Sequence, residues 1–346
     1  LDLIVINHQY LLAASMSGKL LLYDTAADKV LDERKDHSKY VVKLASWSDG
    51  HSTSIIATAG WDSQIFLYKV NLTDGPNVKL GEPIARLSTS SIPETIVFIR
   101  SPDTATEPIL LLTRRDSTCL YYYMLPQIDS SISEFTLLGQ QNLSPHSTAW
   151  VAFSVSDVRV CPTDESIVAV ATSSTPHMRV IVVRLLIPPK QGLTMNLDTH
   201  THGLRQSTSV MADPILEPGD TRTQASQERA NLVIQDREEA AIILNINTMA
   251  PQTAYSTPTL VWRPDGSGIF VSSDDGVVRG LEAITGKLIV SLDSHEAGTK
   301  LRCLWAGYMK REQSSYTDNE SDSLEKDEEY LISGGFDQKL ILWSTL

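Results

Sequence analysis

The chain has 346 residues, a formal charge of −13, 42% hydrophobic and 21% charged residues. That composition supports a packed core and excludes global disorder. The acidic balance argues against a general nucleic-acid surface, which needs clustered Lys and Arg. No run approaches the roughly 18 apolar residues of a membrane helix, and no basic-then-apolar leader opens the chain, so membrane insertion is not expected. Leu1 in place of Met leads us to expect further residues ahead of it. Cys119, Cys161 and Cys303 are widely spaced and odd in number. They form neither a disulfide framework nor a metal knuckle, and they point to an intracellular location, cytoplasmic or nuclear.

The predicted elements recur along the chain. Residues 3–6, the turn Asn7-His8-Gln9 and residues 10–15 read as a first hairpin, followed by the apolar run 19–23. A short apolar strand over 41–47 then leads into Ser48-Asp49-Gly50. The same pattern returns at 96–99 before Arg100-Ser101-Pro102-Asp103 and at 158–160 before Cys161-Pro162-Thr163-Asp164. It appears once more at 260–262 before Arg263-Pro264-Asp265-Gly266. Pro suits such turns by fixing φ, and Gly by tolerating a positive one. After each comes a strand, a tight turn and another strand, clearest at 55–68 and 331–343 and weaker at 12–24, 110–123, 168–185, 232–246 and 270–282. The turns fall near positions 17, 62, 116, 174, 238, 275 and 337, which predicts seven copies. Their shortest spacings approach the roughly 40–45-residue period of four-stranded propeller blades.

Two stretches interrupt the repeat. Residues 188–229 are rich in Pro, Thr, Ser and Gln and read as a long loop carrying a degenerate first strand of a fifth blade. Residues 311–329 hold eight acids against Arg311 and Lys326 and read as a solvated excursion. Ser321 and Ser323 among those acids can accept phosphate. Asp198, His200 and His202 alternate as zinc ligands would in a strand. Loop histidines without a rigid scaffold are usually solvated, so neither metal nor cofactor is expected. Arg114-Arg115 lacks the following Gly of phosphoinositide-binding propellers, because Asp116 stands there.

On the copies at 55–68 and 331–343, the chain resembles the WD-repeat family. The resemblance implies an all-β, seven-bladed WD-repeat β-propeller with two long loop insertions. Its blades would span 1–35, 36–87, 88–143, 144–190, 191–255, 256–294 and 295–346. With residues 3–6 as the first strand of blade one, the last blade lacks its outer strand. The expectation is that residues ahead of Leu1 supply it. In this family a His, a Ser or Thr, the turn Asp and a third-strand Trp form one hydrogen-bonded set per blade. The resemblance places His295, Ser333, Asp337 and Trp343 in one set, and His37, Thr58, Asp62 and Tyr68 in another. His, Ser and Asp together also suit a hydrolase triad. Because the order repeats from blade to blade, however, it reads as a device that satisfies buried polar groups.

The family also places the residue before each turn Asp on the top face, at the mouth of the channel. Here these are Met16, Trp61, Arg115 and Phe336, with the more polar Ser173, Arg237 and Asp274 on the other blades. Aromatic, Met and Arg side chains on one arc have the composition of an interface hot spot. The implied function is a non-enzymatic protein-interaction scaffold or recognition subunit of an intracellular multiprotein complex, with other proteins as partners. One alternative is a substrate receptor of a ubiquitin ligase, although the Trp-Asp-x-x-Arg box of such receptors is missing. The other, an enzyme with its site in the channel, is disfavoured by first strands that show mainly Val, Leu, Ile, Ser and Arg.

Overall fold

A computed structural model describes residues 2–48, 52–101, 107–126, 134–149, 152–188, 221–309 and 328–344. Blade one is the antiparallel sheet β1 (Leu3–Ile6), β2 (Tyr10–Ala14), β3 (Leu20–Asp24) and β4 (Lys29–Arg34). Blade two is β5 (Val41–Ser48), β6 (Thr53–Gly60), β7 (Gln64–Asn71) and β8 (Ala85–Ser88). Blade three is β9 (Pro93–Arg100), β10 (Pro108–Arg114), β11 (Cys119–Met124) and β12 (Thr136–Asn142). Blade four has β13 (Val155–Val160), β14 (Ile167–Thr172) and β15 (His177–Arg184), and is completed by β16 (Ile242–Pro251). Blade five is β17 (Leu260–Trp262), β18 (Gly268–Val271), β19 (Val277–Glu282) and β20 (Leu288–Asp293). Among the described residues blade six has three strands, β21 (Leu301–Met309), β22 (Glu328–Gly335) and β23 (Leu340–Ser344).

Among the described residues the propeller therefore has six blades, not seven. The expected fifth blade over 191–255 is not a blade. Residues 189–220 lie outside the described residues, and Thr221–Ala241 form a helix, α1. β16 follows directly and pairs with β15, Val180 opposite Ile246 and Val182 opposite Leu244, as the outer strand of blade four. Composition explains the helix. Its 21 residues are mostly Ala, Gln, Glu, Arg and Leu, with neither Pro nor Gly. The loop expected over 188–229 is thus helical from residue 221 onward. Arg237 sits on this helix and not at a blade turn. The other excursion, 311–329, is described only at its last two residues, inside β22, where Glu329 forms an ion pair with Arg263. Ser321, Ser323, Asp198, His200 and His202 lie outside the described residues.

Residues 3–6 do form the inner strand of blade one, with Ile6 paired to Tyr10 across the Asn7-His8-Gln9 turn. Asn7 and His8 both have positive φ, 48° and 57°, as a hairpin turn matched to strand twist requires.

The inner strands β1, β5, β9, β13, β17 and β21 neighbour one another in that order. Among the described residues, each of the five junctions between blades that follow one another in the chain has its own apolar cluster. Leu12 and Leu22 meet Val41 and Ile56 between blades one and two. Leu67 meets Phe98 and Leu110 between two and three, and Leu111 and Tyr122 meet Val158 and Val170 between three and four. Val180 and Val182 meet Leu260 and Ile269 between four and five, and Phe270 meets Leu301 and Leu331 between five and six. A central sheet buried on both faces needs apolar residues at every position, so β10 and β15 read as continuous apolar runs. Each four-stranded sheet is too small to stand alone and is stabilised by covering its neighbours.

Candidate protein-interaction face

The turns between second and third strands all fall at one end of the ring, beside the crossings that lead into the inner strands. The Trp61 N–H donates to Tyr40 O at 3.0 Å, Arg115 N–H to Ile92 O at 2.8 Å, and Phe336 N–H to Lys300 O at 3.1 Å. Blade one's turn packs on the crossing into blade two. Gly18, with a φ of +83°, would place a Cβ 2.5 Å from His37 O and 2.6 Å from Lys39 O. This end is the top face.

Two blades lock this end with the polar sets anticipated from the sequence. In blade six, His295 Nδ1 lies 2.9 Å from Asp337 Oδ2 and Nε2 lies 2.8 Å from Ser333 Oγ, while Trp343 Nε1–H donates to Ser333 Oγ at 2.9 Å. With Nδ1–H directed at the carboxylate, Nε2 accepts the Ser333 proton and Ser333 accepts the indole proton, so every polar atom in the chain is used. In blade two, His37 Nδ1 lies 3.0 Å from Asp62 Oδ1 and Nε2 2.8 Å from Thr58 Oγ1. Tyr68 stands where the other blade has Trp343, and its hydroxyl donates to Asp36 Oδ2 at 3.0 Å while also meeting the Thr58 side chain. Asp36 is in turn held by Arg34. Burial acts to raise the Asp62 and Asp337 carboxyls. The histidine hydrogen bonds and the backbone N–H groups of Ser38 and Gln64, or Glu296 and Lys339, prevail and hold both below the ordinary aspartate range. His37, Thr58, His295 and Ser333 are all buried. A substrate cannot reach them, and they tie a crossing to a turn.

The four arc residues differ in setting. Met16 is 72% and Phe336 67% exposed. Trp61 and Arg115 are half-buried and meet each other, the Arg115 guanidinium lying 4.9 Å from the Trp61 ring centroid. Tyr40 tilts against Trp61 as well, 4.4 Å between ring centroids, and Arg115 Nε donates to Glu94 Oε1 at 2.5 Å. Burial pushes the Glu94 carboxyl up, and Arg115 opposes the rise. Phe336 has a similar companion in Arg302, 4.8 Å from its centroid. The structure thus brings Trp61 and Arg115 into one platform, with Met16 and Phe336 on the turns of blades one and six. Ser173 and Asp274 lie on the corresponding turns of blades four and five.

Sequence reasoning missed the partners Tyr40, Glu94 and Arg302, and it also missed the charges of the channel. A cavity of about 180 Å³ there is lined by Asp2, Lys43, Thr95, Phe98, Asp157 and Arg159, among others. Asp157, one of the lining residues, is fully buried. Its carboxylate accepts from Lys43 Nζ at 3.2 Å, Arg159 Nε at 3.3 Å, Thr259 Oγ1 at 2.8 Å and Leu260 N–H at 3.3 Å. Burial alone would raise this carboxyl, but the charges of Arg159 and Lys43 with these hydrogen bonds hold it down to about 2. Asp2 is likewise engaged, accepting from Leu44 N–H at 2.9 Å. The only signal in the sequence was the odd placement of Lys43 and Asp157 within apolar strands. Among the described residues, no group of His, Cys, Asp or Glu is arranged to hold a metal, and no helix is long and apolar enough to cross a membrane.

Six radially stacked sheets around a charged channel define a β-propeller. The family profile described as "UCP007778, beta-propeller domain" matches residues 3–305, and the chain belongs to that family. No curated protein matches it. Among solved structures it is similar to the computationally designed Ika8 protein, at 12% identity and a TM-score of 0.50, over 99% of this chain and 70% of that one. At that identity the likeness shows the fold alone.

Proposed function

We propose that the protein is a WD-repeat propeller acting as a non-enzymatic scaffold or recognition subunit of an intracellular multiprotein complex. In this reading it grips a partner through Met16, Trp61, Arg115 and Phe336. The Arg115–Trp61 stack carries the proposal. The arginine is anchored at Nε by Glu94 yet keeps 39% of its side-chain surface exposed, beside a half-buried Trp61. Pre-ordered Arg and Trp of this kind lose little side-chain entropy on binding, which is why such residues dominate interface energetics. The paired state of Asp157, Lys43 and Asp2 favours a structural channel over a catalytic one. The His–Ser–Asp–Trp set of blade six and its Tyr variant in blade two support the WD-repeat assignment. Three free cysteines suit a reducing compartment.

Affinity purification with mass spectrometry tests the reading, comparing wild type with Trp61→Ala/Phe336→Ala. Loss of one stable partner from a variant with an unchanged melting profile supports it. An unchanged partner set from that variant refutes it.

A further inference from the structure

Arg302 and Glu94 hold the same place in two blades. Phe336 N–H donates to Lys300 O and Arg115 N–H to Ile92 O. Each charged residue stands two positions after that acceptor, as the second residue of its inner strand. In blade three the charge is answered within the blade, because the turn residue Arg115 pairs with Glu94. In blade six it is not. The inner-strand residue there is the cation Arg302, and the turn supplies Phe336, whose ring centroid lies 4.8 Å from the guanidinium.

The rest of the Arg302 environment is neutral or already engaged. Its Nη1–H donates to Thr257 Oγ1, and among the described residues no carboxylate pairs with it. Asp274 acts on it through its charge but is held by other donors. Lys300 Nζ lies 3.2 Å from Asp274 Oδ2, and the Ser256 hydroxyl donates to the same oxygen. Two cations thus share one carboxylate. Arg302 is also half-buried. Burial pushes it below the ordinary arginine range, and the charge of Asp274 opposes the fall without cancelling it. A guanidinium withdrawn from water without a counter-ion is unfavourable, and a carboxylate brought to it makes a strong, directional contact.

We propose that the partner gripped by the top face presents one Asp or Glu carboxylate to Arg302, beside the exposed ring of Phe336. This rests on the top-face reading and adds the chemistry of what is bound there. The pair Arg115–Glu94 is the internal precedent, with the acid now supplied from another chain. The protein as a whole carries −13, which repels an acidic surface at long range. The site therefore takes a single acidic side chain and not a generally acidic partner.

Arg302→Lys places a primary amine at this position, and a carbodiimide condenses such an amine with a carboxylate lying against it. The variant is isolated in its native assembly, treated with carbodiimide and mapped by mass spectrometry. The proposal expects an amide from position 302 to an Asp or Glu of another polypeptide. Arg302→Glu should weaken binding of that polypeptide by about tenfold or more, and reversing the partner's acid to Lys should restore it. Arg302→Gln in the isolated chain should melt close to wild type, since it removes a charge that lacks a counter-ion. An amide only to Asp274 of the same chain, an adduct with a phosphate group, full binding by Arg302→Glu, or a clear fall in the melting temperature of Arg302→Gln would each overturn the proposal. Trp61→Ala/Phe336→Ala separates it from the wider reading. If that variant loses the partner while Arg302→Glu keeps it, the top face binds without this contact and the proposal alone fails. If both keep it, the top-face reading fails as well.

Discussion

Lys43 Nζ on blade two reaches Asp157 Oδ1 on blade four at 3.2 Å, so one ion pair spans a blade. The same carboxylate takes Thr259 Oγ1 from blade five, and a single buried group thereby ties three blades at the channel wall. Asp157→Asn leaves Lys43 and Arg159 without their counter-charge. The expected cost is about 3 kcal/mol in urea unfolding near neutral pH. The sign of its pH dependence follows from the depressed carboxyl. With a folded value of about 2 against the ordinary 3.8, its stabilisation is complete above pH 3.8 and is lost as pH falls through 2. That window holds on the order of 2 kcal/mol. The gap between wild type and Asp157→Asn should therefore narrow by that amount between pH 6 and pH 2. A constant gap would show that the charge of Asp157 does not stabilise the ring.

The polar set of blade two gives a contrast within one blade. His37→Ala strips partners from both Asp62 and Thr58 in a buried setting and should cost on the order of 2–3 kcal/mol. Tyr68→Phe removes a donor to Asp36, which keeps both hydrogen bonds from Arg34, and a contact with Thr58, which keeps His37, and should cost about 1 kcal/mol. Denaturant midpoints for the two variants check the order, and a reversed order would place the lock of blade two in the tyrosine.

Gly60 sets a steric condition on the same set. A Cβ there would collide with the His37 ring at Nδ1 and lie 2.5 Å from Asp62 Oδ1, although the backbone itself is not left-handed. Gly60→Ala should thus separate His37 from Asp62 and cost about 2 kcal/mol or more. The His37 ring signals in an NMR spectrum should shift together with the loss of stability. A stable variant with unshifted signals would mean that the turn absorbs the methyl group.

Much of this architecture was legible in the sequence. Six of the seven anticipated turns, near 17, 62, 116, 174, 275 and 337, coincide with turns between second and third strands, and residues 3–6 open blade one as anticipated. The seventh, near 238, failed because Leu232-Val233-Ile234 looks like the start of a buried strand. In fact these three residues are exposed on α1, and helix-favouring neighbours on both sides decide the matter. The neutral-looking β16 then serves as an outer strand, a position whose half-exposed pattern carries little sequence signal. The members of the two histidine sets were placed together by the resemblance to the WD-repeat family, and each set lies within one repeat. The Asp157 network and the Arg115–Glu94 anchor were not legible in this way, since the first joins residues more than a hundred positions apart and the second depends on how a turn meets a crossing.

Trp61→Ala should leave stability within about 1 kcal/mol of wild type, since the indole is half-buried and its loss uncovers no polar set. Arg115 would keep its Glu94 anchor but lose the surface beneath it. A variant that folds normally and fails to hold the partner is the expected outcome, with a calorimetric melt and a co-purification assay as the paired readings. A large fall in melting temperature would instead assign Trp61 to packing.

Hydrogen exchange, followed on the isolated chain and on its purified assembly, tests the top-face account most directly. Amides at 61–63, 115–118 and 336–339 should exchange more slowly in the assembly, because partner contact there would cover turns that carry Trp61, Arg115 and Phe336. Unchanged exchange at all three turns in an assembly that still contains the partner would contradict the account and move the binding surface away from the top of the propeller.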